Sequence, residues 1–163
     1  MISTSFDYAR ATSLDDAVAK LQAAKGNAKL IAGGHSLVPL MKFRLSEPQA
    51  LIDIARIPGL SGIREKDGKI EIGAATVHHE VATSALLIKA CPVLSDAASE
   101  IGDQQVRNRG TLGGSIAHAD PAADYPAVML RPGRANANNA ADNIAVLREA
   151  LTQLPDADRD QWH

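Results

Sequence analysis

The stretch Lys29-Leu30-Ile31-Ala32-Gly33-Gly34-His35-Ser36-Leu37 decides how this chain is read. A short apolar run ending in paired glycines predicts a buried strand over 29–32, and Ser36 to Arg44 predicts a short helix despite Pro39. Upstream, Ser13 stands before Leu14-Asp15-Asp16, a capping hydroxyl ahead of two acids in a first turn. Leu14, Ala17, Val18 and Leu21 then recur at helical spacing until Gly26. Downstream, Ala50 to Ile54 predicts a second strand. The outcome is a small parallel β-α-β unit with a glycine turn inside it.

Two adjacent residues without Cβ let backbone N–H groups come close to an anion. The helix start that follows adds a partial positive charge, and Ser36 offers a hydroxyl. A diphosphate fits that chemistry; a tight turn whose glycines need only a positive φ is written with the same letters. Neither Lys-Ser nor Lys-Thr follows, which excludes a Walker loop, and the G-x-G-x-x-G spacing of a dinucleotide-binding βαβ unit is absent. Further on, Thr111-Leu112-Gly113-Gly114-Ser115 repeats the paired glycines between hydroxyl side chains. Two such loops could clamp opposite sides of one extended, doubly charged ligand.

Beyond the parallel unit the pattern turns antiparallel. Ile63 to Ala74 splits at Lys66-Asp67-Gly68-Lys69, and an Asp-Gly next to Ile70 and Ile72, which alternate with polar residues, predicts a hairpin. Val77 to Ile101 predicts helices in pieces, with Thr76 as a cap, Ser84 restarting the chain and Pro92 opening a new first turn. From Val106 to Ala117 the pattern predicts loop and strand, and Asp120-Pro121 opens an apolar helix through Tyr125 to Leu130. Past Leu130 the composition changes: four of the six Asn fall between 136 and 143, and Ile144, Leu147, Leu151 and Leu154 then form one helical stripe.

The 163 residues carry 17 Lys+Arg against 19 Asp+Glu, a formal charge of −2, and are 45% hydrophobic. That composition folds, and it supplies no field that would hold a phosphate backbone, so no nucleic-acid partner is expected. No apolar run reaches the length of a membrane span, and Met1 to Asp7 lacks both a basic leader and an apolar core, which predicts a cytoplasmic protein. Cys91 stands alone, so this chain cannot hold an iron–sulfur cluster or a thiolate zinc site, and any redox chemistry needs a bound organic cofactor. Only 3% of residues are aromatic, so the core is expected to be built from Ala, Leu, Ile and Val.

Other polar residues admit two readings each. His78-His79-Glu80 lacks the second histidine of H-E-x-x-H, Thr83 standing in its place, and no metal site is expected. His35 and His118 could donate to a phosphate or pack beside the turns. Arg107 and Arg109 could reach phosphate as forks or lie solvated on the surface. Asp120 reads as the cap of the helix opened by Pro121, and Asp124 as either a helix residue or an acceptor for sugar hydroxyls. No nucleophilic set stands out, so no catalytic residue is assigned.

Taken together, Ala32-Gly33-Gly34-His35-Ser36-Leu37 with Pro39-Leu40-Met41-Lys42, Leu51-Ile52-Asp53-Ile54, Ile72-Gly73-Ala74-Ala75-Thr76, and Val106 to Ser115 with Asp120-Pro121-Ala122-Ala123-Asp124 resemble one family. It is the FAD-binding medium subunit of molybdenum hydroxylases, of the aerobic carbon monoxide dehydrogenase type. The resemblance implies an α+β fold of two FAD-binding subdomains: residues 1–56, a small parallel β-α-β unit, and residues 57–131, a mainly antiparallel sheet with helices, incomplete at its C-terminal end. Residues 132–143 would be a linker and 144–163 a tail helix of unknown origin, so that the chain reads as a family member truncated after about residue 130. The resemblance also implies FAD held by Ala32, Gly33, Gly34, His35, Ser36, Leu37, Ile101, Thr111, Gly113, Gly114, Ser115 and Asp124. Asp124 would contact the flavin nucleotide, and Ile101 would line its site. The implied activity is that of an FAD-dependent oxidoreductase subunit, passing electrons from iron–sulfur clusters on a small subunit, fed by a molybdenum-binding large subunit, through FAD to an external acceptor. The alternative is a truncated, non-catalytic remnant or interaction module without bound flavin.

Overall fold

The computed structural model describes residues 3–129; the expected linker and tail helix lie outside the described residues. Three short strands, β1 (Asp7–Arg10), β2 (Ala28–Ile31) and β3 (Ala50–Asp53), form one parallel sheet in the order β1-β3-β2. The register sets Tyr8 and Lys29 on either side of Leu51, and Arg10 and Ile31 on either side of Asp53. Between β1 and β2 runs α1 (Leu14–Ala23), opened as expected by Ser13, whose hydroxyl accepts from the Asp16 N–H at 3.1 Å. Between β2 and β3 runs α2 (Leu37–Lys42), in which Pro39 occupies the first turn, where a missing N–H costs nothing. The parallel β-α-β unit is therefore present, enlarged by β1, which the sequence did not announce. Its core is made of Ala11, Ala17, Ala28, Ile52 and Ile57. With three alanines among five residues, each buried group contributes little, at about 0.8 kcal/mol per methyl or methylene.

The second half begins with the hairpin of β4 (Ile63–Lys66) and β5 (Lys69–Ile72), antiparallel and in the register Ile63 to Ile72. Its two turn residues, Asp67 and Gly68, both have positive φ, +53° and +74°, as a two-residue turn matched to strand twist requires. Helices follow: α3 (His78–Thr83), α4 (Ala85–Ala90), α5 (Pro92–Glu100), α6 (Gln104–Arg107), α7 (Leu112–His118) and α8 (Asp124–Met129). Val81, Leu87, Ala98, Leu112 and Tyr125 form their core, against which the hairpin lays Ile63, Ile70 and Ile72. Ser84 opens α4 by accepting from Leu87 N–H, and Pro92 opens α5.

Several expectations need correction. Thr76 does not cap α3; that position is Val77, and the Thr76 hydroxyl is buried, accepting from Gly62 N–H at 2.9 Å and donating to the Gly62 carbonyl. The stretch after Val106 is helical where loop and strand were expected, because Asp103 caps α6 through Val106 N–H at 2.8 Å and Thr111 caps α7 through Gly114 N–H at 3.1 Å. The last helix begins at Asp124, later than Pro121. Asp120 instead closes a local turn, its carboxylate accepting from Ala122 N–H at 2.9 Å and its carbonyl from Ala123 N–H.

Candidate functional site

The C-terminal end of β2 feeds through Ala32 into the first glycine pair, at the edge of a parallel sheet where ligands of such folds collect. Gly34 has φ +77°, a conformation costly for a residue with Cβ. The Gly34 carbonyl accepts from Val38 N–H at 2.9 Å and so opens α2. The consecutive amide N–H groups of Gly34, His35, Ser36 and Leu37 find no acceptor among the described residues, and the Ser36 hydroxyl makes no capping bond. The His35 side chain is exposed and Ser36 half-buried. A row of unpaired amides with a hydroxyl at its end can satisfy itself by binding an anion.

The second glycine pair is built differently. Gly113 and Gly114 lie in the first turn of α7, and their amides are already used: Gly113 N–H donates to the Ala74 carbonyl at 2.9 Å and Gly114 N–H to the Thr111 hydroxyl. Ser115 N–H donates to the Thr111 carbonyl and Leu112 N–H to that of Thr76. A Cβ at Gly113 would lie 2.6 Å from the Ala74 Cβ, so this glycine allows α7 to approach the segment after β5. What the helix start leaves open is the exposed face of Gly114 and the Ser115 hydroxyl.

The two loops meet. A Cβ at Gly33 would run into the Arg109 carbonyl oxygen and lie 2.8 Å from the Gly110 Cα, so the first loop rests directly on the backbone that leads into the second. Gly110 in turn lies against the imidazole of His78, a Cβ there falling 2.7 Å from its Cδ2 and Nε2. The His78 N–H donates to the Gly110 carbonyl at 3.0 Å, and Val77 bridges Thr111.

Asp124 and its neighbour join the same region. The buried His78 Nδ1 and the buried Tyr125 hydroxyl share a hydrogen bond of 2.8 Å, with ring centroids 5.4 Å apart. Burial pushes the His78 imidazole down to about 4, helped by the neighbouring His35 and opposed by the Asp124 carboxylate. Burial, with Asp124 adding to it, pushes the Tyr125 phenol above the ordinary tyrosine range. Loop 32–37, segment 109–115 and the first turn of α8 therefore converge around His78. Ile101 ends α5, half-buried against the second core, and its carbonyl accepts from Arg107.

Arg107 is half-buried, and its Nη1 donates to the carbonyls of Ile101 and Gly102 at 3.1 and 2.8 Å, tying α6 to the end of α5. The Arg109 side chain is exposed, and His118 sits half-buried in the last turn of α7. His79 and Glu80 point outward while His78 is buried, so the three do not gather. Among the described residues no cluster of three His, Cys, Asp or Glu side chains is placed to hold a metal ion. No described helix is long and apolar enough to cross a membrane. The sequence reading missed the joining role of His78 and of Tyr125. The signal for His78 was its spacing from Val81, which puts both on the inner face of α3.

The chain is similar to known proteins. The chain is 52% identical over 126 residues to the 6-hydroxypseudooxynicotine dehydrogenase complex subunit alpha of Paenarthrobacter nicotinovorans, a match covering 77% of this chain and 43% of that protein. It is 48% identical over 130 residues to the carbon monoxide dehydrogenase medium chain of Hydrogenophaga pseudoflava, covering 80% and 45%. Its fold superposes with a TM-score of 0.78, at 49% identity and over 80% of this chain and 45% of that one, on a solved carbon monoxide dehydrogenase from Hydrogenophaga pseudoflava lacking the Mo-pyranopterin moiety of its cofactor. The chain thus spans less than half the length of these relatives. The family model described as the FAD binding domain in molybdopterin dehydrogenase matches residues 4–144, past Leu130 where the resemblance was expected to stop. The chain belongs to that family of FAD-binding domains.

Proposed function

We propose that this chain holds the nucleotide end of FAD where the loop of residues 32–37 meets the segment 109–115, as the FAD-binding electron-transfer part of a molybdenum hydroxylase complex. The observation that carries the reading is the row of amides from Gly34 to Leu37 without internal acceptors, next to a loop that only a glycine at position 33 allows against Arg109. Those amides and the Ser36 hydroxyl suit a diphosphate, each charge-assisted hydrogen bond contributing roughly 1.5–3 kcal/mol. The Ser115 hydroxyl and the Asp124 carboxylate suit sugar hydroxyls. Thr111 and Gly113 act by fixing α7, and Ile101 by closing one side with apolar surface. The residues present therefore fit the family's cofactor. When bound, FAD supplies the redox chemistry, and the protein binds, orients and shields it.

In this reading the cofactor lies between the subdomain of residues 1–56 and the one that begins at 57, although Ile57 and Leu60 still pack into the first core. The partners are a molybdenum-binding large subunit and an iron–sulfur small subunit, in the cytoplasm. The test is to titrate the purified chain with FAD and follow its visible absorbance and the melting temperature. A perturbed flavin spectrum and a raised melting temperature are expected. An unchanged spectrum and melting temperature would favour the flavin-free interaction module.

A further inference from the structure

His78 and Tyr125 are placed in a way the binding of a nucleotide does not by itself require. The His78 ring is 5% exposed and the Tyr125 side chain fully buried, and their hydrogen bond spans 47 positions of sequence. One edge of the imidazole lies on Gly110, where no larger residue fits, and the other binds the phenol. The His78 backbone is itself fixed to Gly110. Thus one ring sets the spacing between the segment entering α7 and the first turn of α8. The residue next to Tyr125 is Asp124, which is exposed, opens that helix, and lies near enough to act on the charge of both His78 and Tyr125.

We propose that the buried His78–Tyr125 pair is a positioning device that fixes the Asp124 carboxylate relative to the Gly110–Ser115 segment, and thereby sets the affinity for the nucleotide. The inference rests on the reading of Asp124 as a nucleotide contact. The first turn of α8 is held where Tyr125 enters the second core, and the polar tie made there is the one to His78. The phenol supplies a directional anchor, because a buried hydroxyl keeps a single partner more strictly than an apolar contact would.

The test is a double-mutant cycle on FAD binding, read by flavin fluorescence, with melting temperature recorded in parallel. Tyr125→Phe removes only the hydroxyl and is expected to weaken FAD binding roughly three- to tenfold, as the loss of one hydrogen bond does. In the Asp124→Asn background the same change is expected to leave affinity unaltered, while its effect on melting temperature persists in both backgrounds. A merely structural pair would instead lower the melting temperature while costing the same factor in affinity, or none, in both backgrounds; either result overturns the proposal. Should Tyr125→Phe fail to fold, His78→Leu, which removes the ring nitrogen facing the phenol and keeps an apolar side chain in its place, enters the cycle with the same outcomes. If the unmodified chain binds FAD and Asp124→Asn binds it equally well, the positioning proposal is overturned while the site at residues 33–37 stands. If the unmodified chain binds no FAD, the functional reading falls and the proposal with it.

Discussion

Gly33-Gly34 and Gly113-Gly114 are written with the same two letters, one ahead of a helix and the other in the first turn of one, and the structure uses them in opposite ways. The first pair leads into amides without an acceptor among the described residues, whereas the second spends its amides on Ala74 and Thr111 to seat α7. Paired glycines thus mark close backbone approach, and only the hydrogen-bond accounting shows whether what approaches is another segment of the chain or something from outside.

The contrast can be broken most forcefully with Gly33→Ala and Gly113→Ala. Each sets a Cβ against neighbouring backbone that has little room to yield, and each is expected to cost about 1–3 kcal/mol in a denaturant titration. Their binding effects should part: Gly33→Ala displaces the unpaired amides and abolishes FAD binding, while Gly113→Ala, at equal fractional folding, retains most of it. The reverse order would assign the cradle to the wrong pair. A smaller effect concerns the joint between them. Because His78 is held down to about 4 from an ordinary 6.5, the unfolded chain takes up its proton first, so the stability from keeping it neutral is complete above about 6.5 and is lost as pH falls toward 4. Melting temperatures measured across that window should fall more steeply for the unmodified protein than for His78→Gln. The finest comparison sets Thr111→Ala beside Ser36→Ala. Thr111 caps α7, and its loss should cost about 1 kcal/mol. Ser36 caps nothing, so its loss should change stability by less than about 0.5 kcal/mol and show itself as a several-fold weaker FAD affinity.

Features legible in the sequence were those fixed by a few neighbouring residues. Ser13 with two acids behind it, Asp67-Gly68 between short strands, Ser84 and Pro92 each determined their element locally, and each appears where expected. Strand β1 was not legible because its pattern is exposed, exposed, half-buried, exposed; it is ordered by pairing with β3, far away in sequence. Helix α7 was not legible because the two glycines in its first turn have poor helix propensity, and α6 because four residues are too few to show a period; Asp103 and Thr111 cap them. Of the candidate site, the glycine turn of the first loop and the helix that follows it were legible. The contact of Gly33 with Arg109 and the His78–Tyr125 bond were not, since they join residues whose separation along the chain carries no period.

The seat of Gly33 on the Arg109 carbonyl has a genetic consequence. Because neither surface there is a side chain, a lesion at position 33 cannot be relieved by trimming a bulky neighbour. A selection for second-site revertants of Gly33→Ala should therefore return insertions, deletions or altered turns around residues 107–110, and few exchanges of one apolar residue for a smaller one.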